Sequence, residues 1–251
     1  MLEITLTFLV LILCQALIQQ ISVPGLHAHN DYLHKRPLLE ALEQGFDSVE
    51  ADVFLKNGKL LVGHFDFALS ADRTLASLYL VPLSKLHKEG KLKPMWLMID
   101  IKSSDGLATA KAIEGELVRF PELFQRVGDK DQKPVKVLLS GNMPRDWVLG
   151  QKTPLLRVDG RIGDLGVPDK ADLIPWVSEP WSKHFDWNGT GPMPLDQLEK
   201  LEAMARKAAS ASQQLRFWGA PDLPECWQNQ RKAGIQRIGT DKLEQLAKAI
   251  R

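Results

Sequence analysis

Polar and ionisable residues recur at the ends of strand-like runs in this chain, and that recurrence limits its fold more than any other feature. His27 and His29 close the run from Leu26, Glu50 and Asp52 stand within Phe46 to Phe54, and Asp100 and Lys102 end the run from Trp96. Ser140, Trp218 and Asp241 do the same further on. Helix-like segments lie between: Arg36 to Gly45, Leu107 to Phe120, Leu195 to Ser212, a segment up to Ala233, and an amphipathic one ending at Ile250. Strand alternating with helix predicts a parallel sheet with helices outside. About eight strand candidates fit an α/β fold of the (β/α)8 TIM-barrel type, because a barrel gathers every strand's C-terminal end at one mouth. An open doubly wound sheet gathers them only at its switch point. With 251 residues the chain is long enough for one large core, so a single compact barrel domain is expected over residues 23–251.

The sharpest chemical signal is a pair of acids two positions apart. At the strand period of two, Glu50 and Asp52 share one face while Val49, Ala51 and Val53 share the other. Neighbouring carboxylates repel, and a cation is the natural way to keep both ionised. Asn57-Gly58 marks a tight hairpin turn, so the run Lys59 to His64 folds back along the acidic strand and brings His64 toward the carboxylates. Asp100 supplies a third hard oxygen ligand from another strand. That set suits Mg²⁺, with Ca²⁺ as the alternative. His27 and His64 are then free to act as an acid and base pair, since imidazole titrates near neutrality. Lys102, two residues after Asp100, adds a fixed positive charge on the same strand face. A divalent cation, an ammonium and two imidazoles make a receptor for a phosphate diester.

Composition excludes other classes. The formal net charge is +1 with no basic run, so no nucleic-acid partner is expected. Cys14 and Cys226 are the only cysteines, which rules out a disulfide framework, and Cys226 reads as a packed side chain. The apolar run Ile4 to Leu13 followed by Cys14-Gln15-Ala16 reads as a signal peptide or membrane tether over residues 1–22. The chain is therefore expected to be secreted, periplasmic or membrane-tethered, as a monomer with contact to a membrane surface.

The block His27-Ala28-His29-Asn30-Asp31-Tyr32, with Glu50, Asp52, His64, Asp100 and Lys102, resembles the phospholipase C-like phosphodiesterase superfamily. That superfamily includes glycerophosphodiester phosphodiesterases, bacterial phosphatidylinositol-specific phospholipases C and sphingomyelinases D. The resemblance implies His27 and His64 as catalytic pair, Glu50, Asp52 and Asp100 as Mg²⁺ ligands, and Lys102 as a phosphate contact. It further implies pocket roles for Asn30, similar to an asparagine of the sphingomyelinase D branch, and for Trp218; His29 reads as pocket contact or support. The implied activity is hydrolysis of a glycerophosphodiester or phospholipid-type substrate. Ala28 and Phe65 depart from the arginine and aspartate usual after the two histidines of glycerophosphodiesterases.

Two other readings compete. His27-Ala28-His29 with Asp241 resembles a zinc-dependent amidohydrolase, although Ser140, Asp159 and Ser178 supply no middle-strand histidine. A barrel that binds phosphate without turnover is the second. Asp241 also reads as an N-cap for the last helix.

Overall fold

A computed structural model describes residues 25–250. The expected leader, residues 1–22, and Cys14 lie outside the described residues. Nine strands form one sheet: β1 Gly25–Ala28, β2 Ser48–Lys56, β3 Lys59–Val62, β4 Met95–Ile101, β5 Val135–Gly141, β6 Leu156–Gly160, β7 Trp176–Pro180, β8 Gln214–Trp218 and β9 Arg237–Thr240. All neighbours pair in parallel except β2 and β3, and β1 pairs with both β9 and β2, so eight parallel strands close into a barrel. The strand β3 stands outside that ring, an antiparallel extension of β2 beyond its paired length. Its turn is the one the sequence requires: Asn57 and Gly58 both adopt positive φ, 49° and 75°.

Helices α1 Leu39–Glu43, α2 Val81–Lys88, α3 Gly106–Leu117, α4 Arg145–Leu149, α5 Leu195–Ser210, α6 Pro224–Lys232 and α7 Leu243–Ile250 fall between the strands and after the last. The main apolar core lies between this layer and the outward strand faces, where Val49, Ala51, Val53, Leu97, Ile99, Val137 and Leu139 are fully buried. The barrel interior is different. Its apolar filling reduces to Met98, Leu138 and Trp176, beside His27, Ser48, Glu50, Ser140, Asp159, Ser178 and Arg216, all buried. Buried polar groups of this density persist only when paired. Ser140 and Ser178 hydroxyls donate to the two oxygens of Asp159 at 2.9 and 2.6 Å, and Glu50 is held by His27 and Arg216.

The first helix is shorter than Pro37 and the following leucines suggest. Leu38 takes φ +65° and ψ −52°, and the Leu39 N–H donates to the Pro37 carbonyl at 2.7 Å, a γ-turn of the strained hand. The buried Asp31 carboxylate sustains it, accepting from the Leu38 N–H at 2.6 Å and the Tyr79 hydroxyl at 3.0 Å. Burial raises the Asp31 pKa from 3.8 to about 6 against those two donors. Between the two values the folded state binds more proton than the unfolded chain, so stability falls as pH climbs from about 4 to about 6 and is level above. The fall amounts to ~3 kcal/mol at 1.36 kcal/mol per unit. Urea denaturation at pH 4 and pH 7 should show it, and Asp31→Asn should remove it; an unchanged slope in that variant would assign it elsewhere.

Candidate active site

Parallel register builds the site. Asp52 on β2 is paired with Asp100 on β4, and Asp100 with Ser140 on β5, which sets the two acids side by side at one height near the mouth. Glu50 lies one inward position deeper. Ligand oxygens of Glu50, Asp52 and Asp100 fall within 4.8 Å of one another, the one such cluster found among the described residues. Gly141, at φ +67°, makes room for it: a Cβ there would stand 1.9 Å from Asp100 Oδ1.

The bonds of these carboxylates are one-sided. Asp52 Oδ2 accepts from the Tyr32 hydroxyl at 2.9 Å, from His64 Nδ1 at 3.0 Å and from Lys102 Nζ at 3.3 Å, while Asp100 Oδ2 takes Lys102 Nζ at 3.0 Å. Asp52 Oδ1 and Asp100 Oδ1 are buried and have no donor. Two anionic oxygens left without protons or donors beside a third carboxylate carry a large desolvation cost. Burial accordingly raises the Asp52 pKa and lifts Asp100 to about 6, although Lys102 opposes both shifts. A hard divalent ion satisfies that donor set, all oxygen and all anionic. The residues therefore fit the implied metal.

The two histidines sit at different depths. His64, two residues past β3, is about half exposed, and its Nδ1–H donates to Asp52, which leaves Nε2 without a hydrogen bond among the described residues. His27 is fully buried. Its Nε2–H donates to Glu50 Oε2 at 2.8 Å and its Nδ1 accepts from the Ser48 hydroxyl at 2.8 Å. Burial, reinforced by Arg216, pushes its pKa down to about 3, so the ring is neutral. Burial likewise opposes the charge on Glu50, but Arg216 and the His27 bond outweigh it and hold that carboxyl below its usual range.

The remaining candidates line the rim. Trp218 is 47% exposed and borders a cavity of about 100 Å³ with His29, Arg216, Asp222 and Asp241. His29 Nδ1 meets Asp241 Oδ1 at 2.9 Å, and Asn30 Nδ2 lies 3.1 Å from the same nitrogen. Burial lowers the His29 pKa, but Asp241 and Glu50 outweigh it and raise it overall. Asn30 Oδ1 lies 2.8 Å from the Tyr32 hydroxyl and shares its one proton with Asp52. Lys102 is partly exposed and bridges both aspartates. Asp241 is drawn to His29 and makes no side-chain bond to the first turn of the last helix, while Thr240 Oγ1 accepts from the Lys242 N–H at 2.8 Å just ahead of it. A zinc site on His27 and His29 finds little support, since both His27 nitrogens are engaged inside the barrel.

Sequence reasoning passed over Arg216 and Tyr32. Arg216 Nη2 bonds Glu50 Oε2 at 2.9 Å while its Nε is buried and unpartnered. Its signal was register, two residues before Trp218 and so on the same inward face. Tyr32 ties Asp52, Asn30 and His64 together through one hydroxyl, the last at 3.3 Å.

Residues 15–107 match the AIM6-like phosphodiesterase domain. The chain is 31% identical to altered inheritance of mitochondria protein 6 of Lachancea thermotolerans over 89% of its own length and 65% of that protein's. It is 29% identical to the Eremothecium gossypii protein of the same name, over 88% of this chain and 68% of that one. It thus spans about two thirds of these relatives. Among solved structures, a glycerophosphodiester phosphodiesterase from Agrobacterium tumefaciens superposes with TM-score 0.53 at 13% identity, over 90% of this chain and 98% of that one. The phosphatidylinositol-specific phospholipase C of Listeria monocytogenes gives 0.52 at 10%, over 92% of each. Residues 15–107 are thus similar to the AIM6-like phosphodiesterase domain, and the described residues share the barrel fold of these two solved phosphodiesterase structures.

Proposed function

We propose that the chain is a divalent-metal-dependent phosphoric diester hydrolase, with Glu50, Asp52 and Asp100 holding Mg²⁺ or Ca²⁺. The observation that carries this reading is the pair of buried, donorless oxygens on Asp52 and Asp100 directly under the rim where His64 is held. When bound, the ion supplies electrostatic stabilisation of charge developing on the phosphoryl oxygens.

The chain's own groups do the rest. Asp52 fixes the His64 tautomer, so Nε2 takes the proton of the attacking water or substrate hydroxyl and returns one to the leaving alcohol. Lys102, whose ammonium is favoured by Asp100 and Asp52 against burial, meets the phosphate as a cation. The free Nε–H of Arg216 is a second donor at the inner wall. His27 is a positioning residue in this reading, since it holds Glu50 with a neutral ring. ³¹P NMR of lipid and deacylated diesters should show one cleaved, with EDTA stopping the reaction and Mg²⁺ or Ca²⁺ restoring it. Turnover indifferent to EDTA sinks the metal assignment.

A lipid diester is favoured over a soluble one by the segment after His64. Phe67 is 88% exposed and Phe65 53%, their rings stack at 5.2 Å, and Phe65 meets the His64 ring edge-on at 4.4 Å. Two bare aromatic rings at the lip of a catalytic mouth suit the acyl region of a bilayer. Phe67→Ser should cut turnover of diester in phospholipid vesicles roughly tenfold and leave a short-chain soluble diester untouched. Equal loss on both substrates would refute the lipid assignment.

A further inference from the structure

The N-terminal ends of the strands, opposite the mouth, enclose a cavity of about 480 Å³. Trp96, Lys136, Arg157 and Gln214, each at the first or second position of β4, β5, β6 or β8, form its inner wall, and Arg126 and Lys130 lie on its outer side. The charges are unbalanced. Arg157 is only 5% exposed, and its one hydrogen bond among the described residues runs from Nη1 to the Gln125 carbonyl at 2.9 Å. Lys136 forms no ion pair among the described residues. Both cations lie over the same indole, Lys136 Nζ 5.4 Å and Arg157 Cζ 6.0 Å from the Trp96 ring centroid.

The acids nearby do not neutralise them. Asp129 pairs with Lys133 at 3.6 Å, and Asp172, which also borders the cavity, makes no ion pair with either cation. Holding the buried Arg157 beside the partly buried Lys136 with no carboxylate in ion-pair contact is unfavourable. Burial, eased by Asp172 and Asp129, pushes the Arg157 pKa down to about 10, and burial with Arg157 lowers that of Lys136. A wall that sets Arg126, Lys130, Lys136 and Arg157 against only Asp129 and Asp172, in a hollow large enough for a small molecule, has an excess of positive charge suited to an anion.

We infer that this cavity is a second binding site, separate from the catalytic mouth, for a small polyanion bearing phosphate or carboxylate groups, held by Lys136 and Arg157 beside Trp96. Arg157 offers the planar fork that suits such groups, and Lys136 the mobile point charge.

Calorimetric titration with inorganic pyrophosphate and with citrate tests the site, using protein stripped of metal on a chelating resin and free of soluble chelator. The protein should bind one equivalent, and Lys102→Met at the mouth should leave that binding intact. Lys136→Met should weaken it about tenfold or more without changing diester turnover. The same variant should melt higher than the parent when no anion is present, because it removes one of two neighbouring cations, and should lose most of the rise in melting temperature that pyrophosphate or citrate gives the parent. Absence of binding, binding that follows Lys102 rather than Lys136, or a lowered melting temperature of free Lys136→Met would each overturn the inference.

Discussion

Asp52→Asn should abolish divalent-ion binding and cut diester turnover about 10³-fold, yet yield a protein that melts higher than the parent in EDTA. Both halves come from the same atoms. Asp52 Oδ1 is buried without a donor, and Asp100 Oδ1 is in the same state alongside. The amide keeps the side-chain shape but removes one negative charge from a cluster whose oxygens lie within 4.8 Å of each other. Since burial and Glu50 raise the Asp52 pKa, its ionised form costs folding free energy that the amide does not. Sites that carry such strain exchange stability for function. Thermal melts in EDTA and with excess Mg²⁺ check the pairing: the parent should gain from the ion and the variant should not. A variant that melts lower in EDTA would mean that bonds from Tyr32, His64 and Lys102 outweigh the repulsion.

Arg216→Met should cost about 3–5 kcal/mol, the largest stability loss expected of any substitution considered. Arg216 and Glu50 are both buried, their ion pair spans 2.9 Å, and Glu50 then retains only the neutral His27 ring. The loss comes mostly from stranding a carboxylate rather than from the worth of the pair. Adding Glu50→Gln to Arg216→Met should therefore recover a large part of the stability, and a double-mutant cycle by urea denaturation measures it. If the double variant is as unstable as the sum of the singles, the two side chains act independently.

Much of this was legible before any coordinates. Period-two spacing put Glu50 and Asp52 on one face, and the ladder to β4 places Asp100 beside Asp52. Asn57-Gly58 located the hairpin, and the register Val53 to Val62 brings His64 to Asp52. These are local rules, or rules of strand order, and sequence carries them. What it did not carry depends on long-range packing. The Arg216 and Glu50 pair joins residues 166 positions apart, and an arginine inside a strand gives no hint of which acid it will meet. Depth was equally hidden: His27 and His64 look alike as letters, but one is sealed in the barrel and the other stands at the rim. Leu38 took a conformation that its own side chain disfavours, held by an aspartate seven residues earlier. Asp241 bonds His29, brought round by ring closure, and makes no side-chain bond to the first turn of the last helix.

The strand that delivers His64 also sets where this architecture can change cheaply. The stretch after β3 is pinched at its base, where the Val62 N–H donates to the Arg73 carbonyl at 2.8 Å and Leu61 bridges to Thr74. Residues 65–72, past His64 and short of the clasp at Arg73, can lengthen, shorten or exchange character without shifting the stave pairing of the closed ring. Substrate preference can therefore drift through grafts at this one lip while the acidic triad below keeps its spacing.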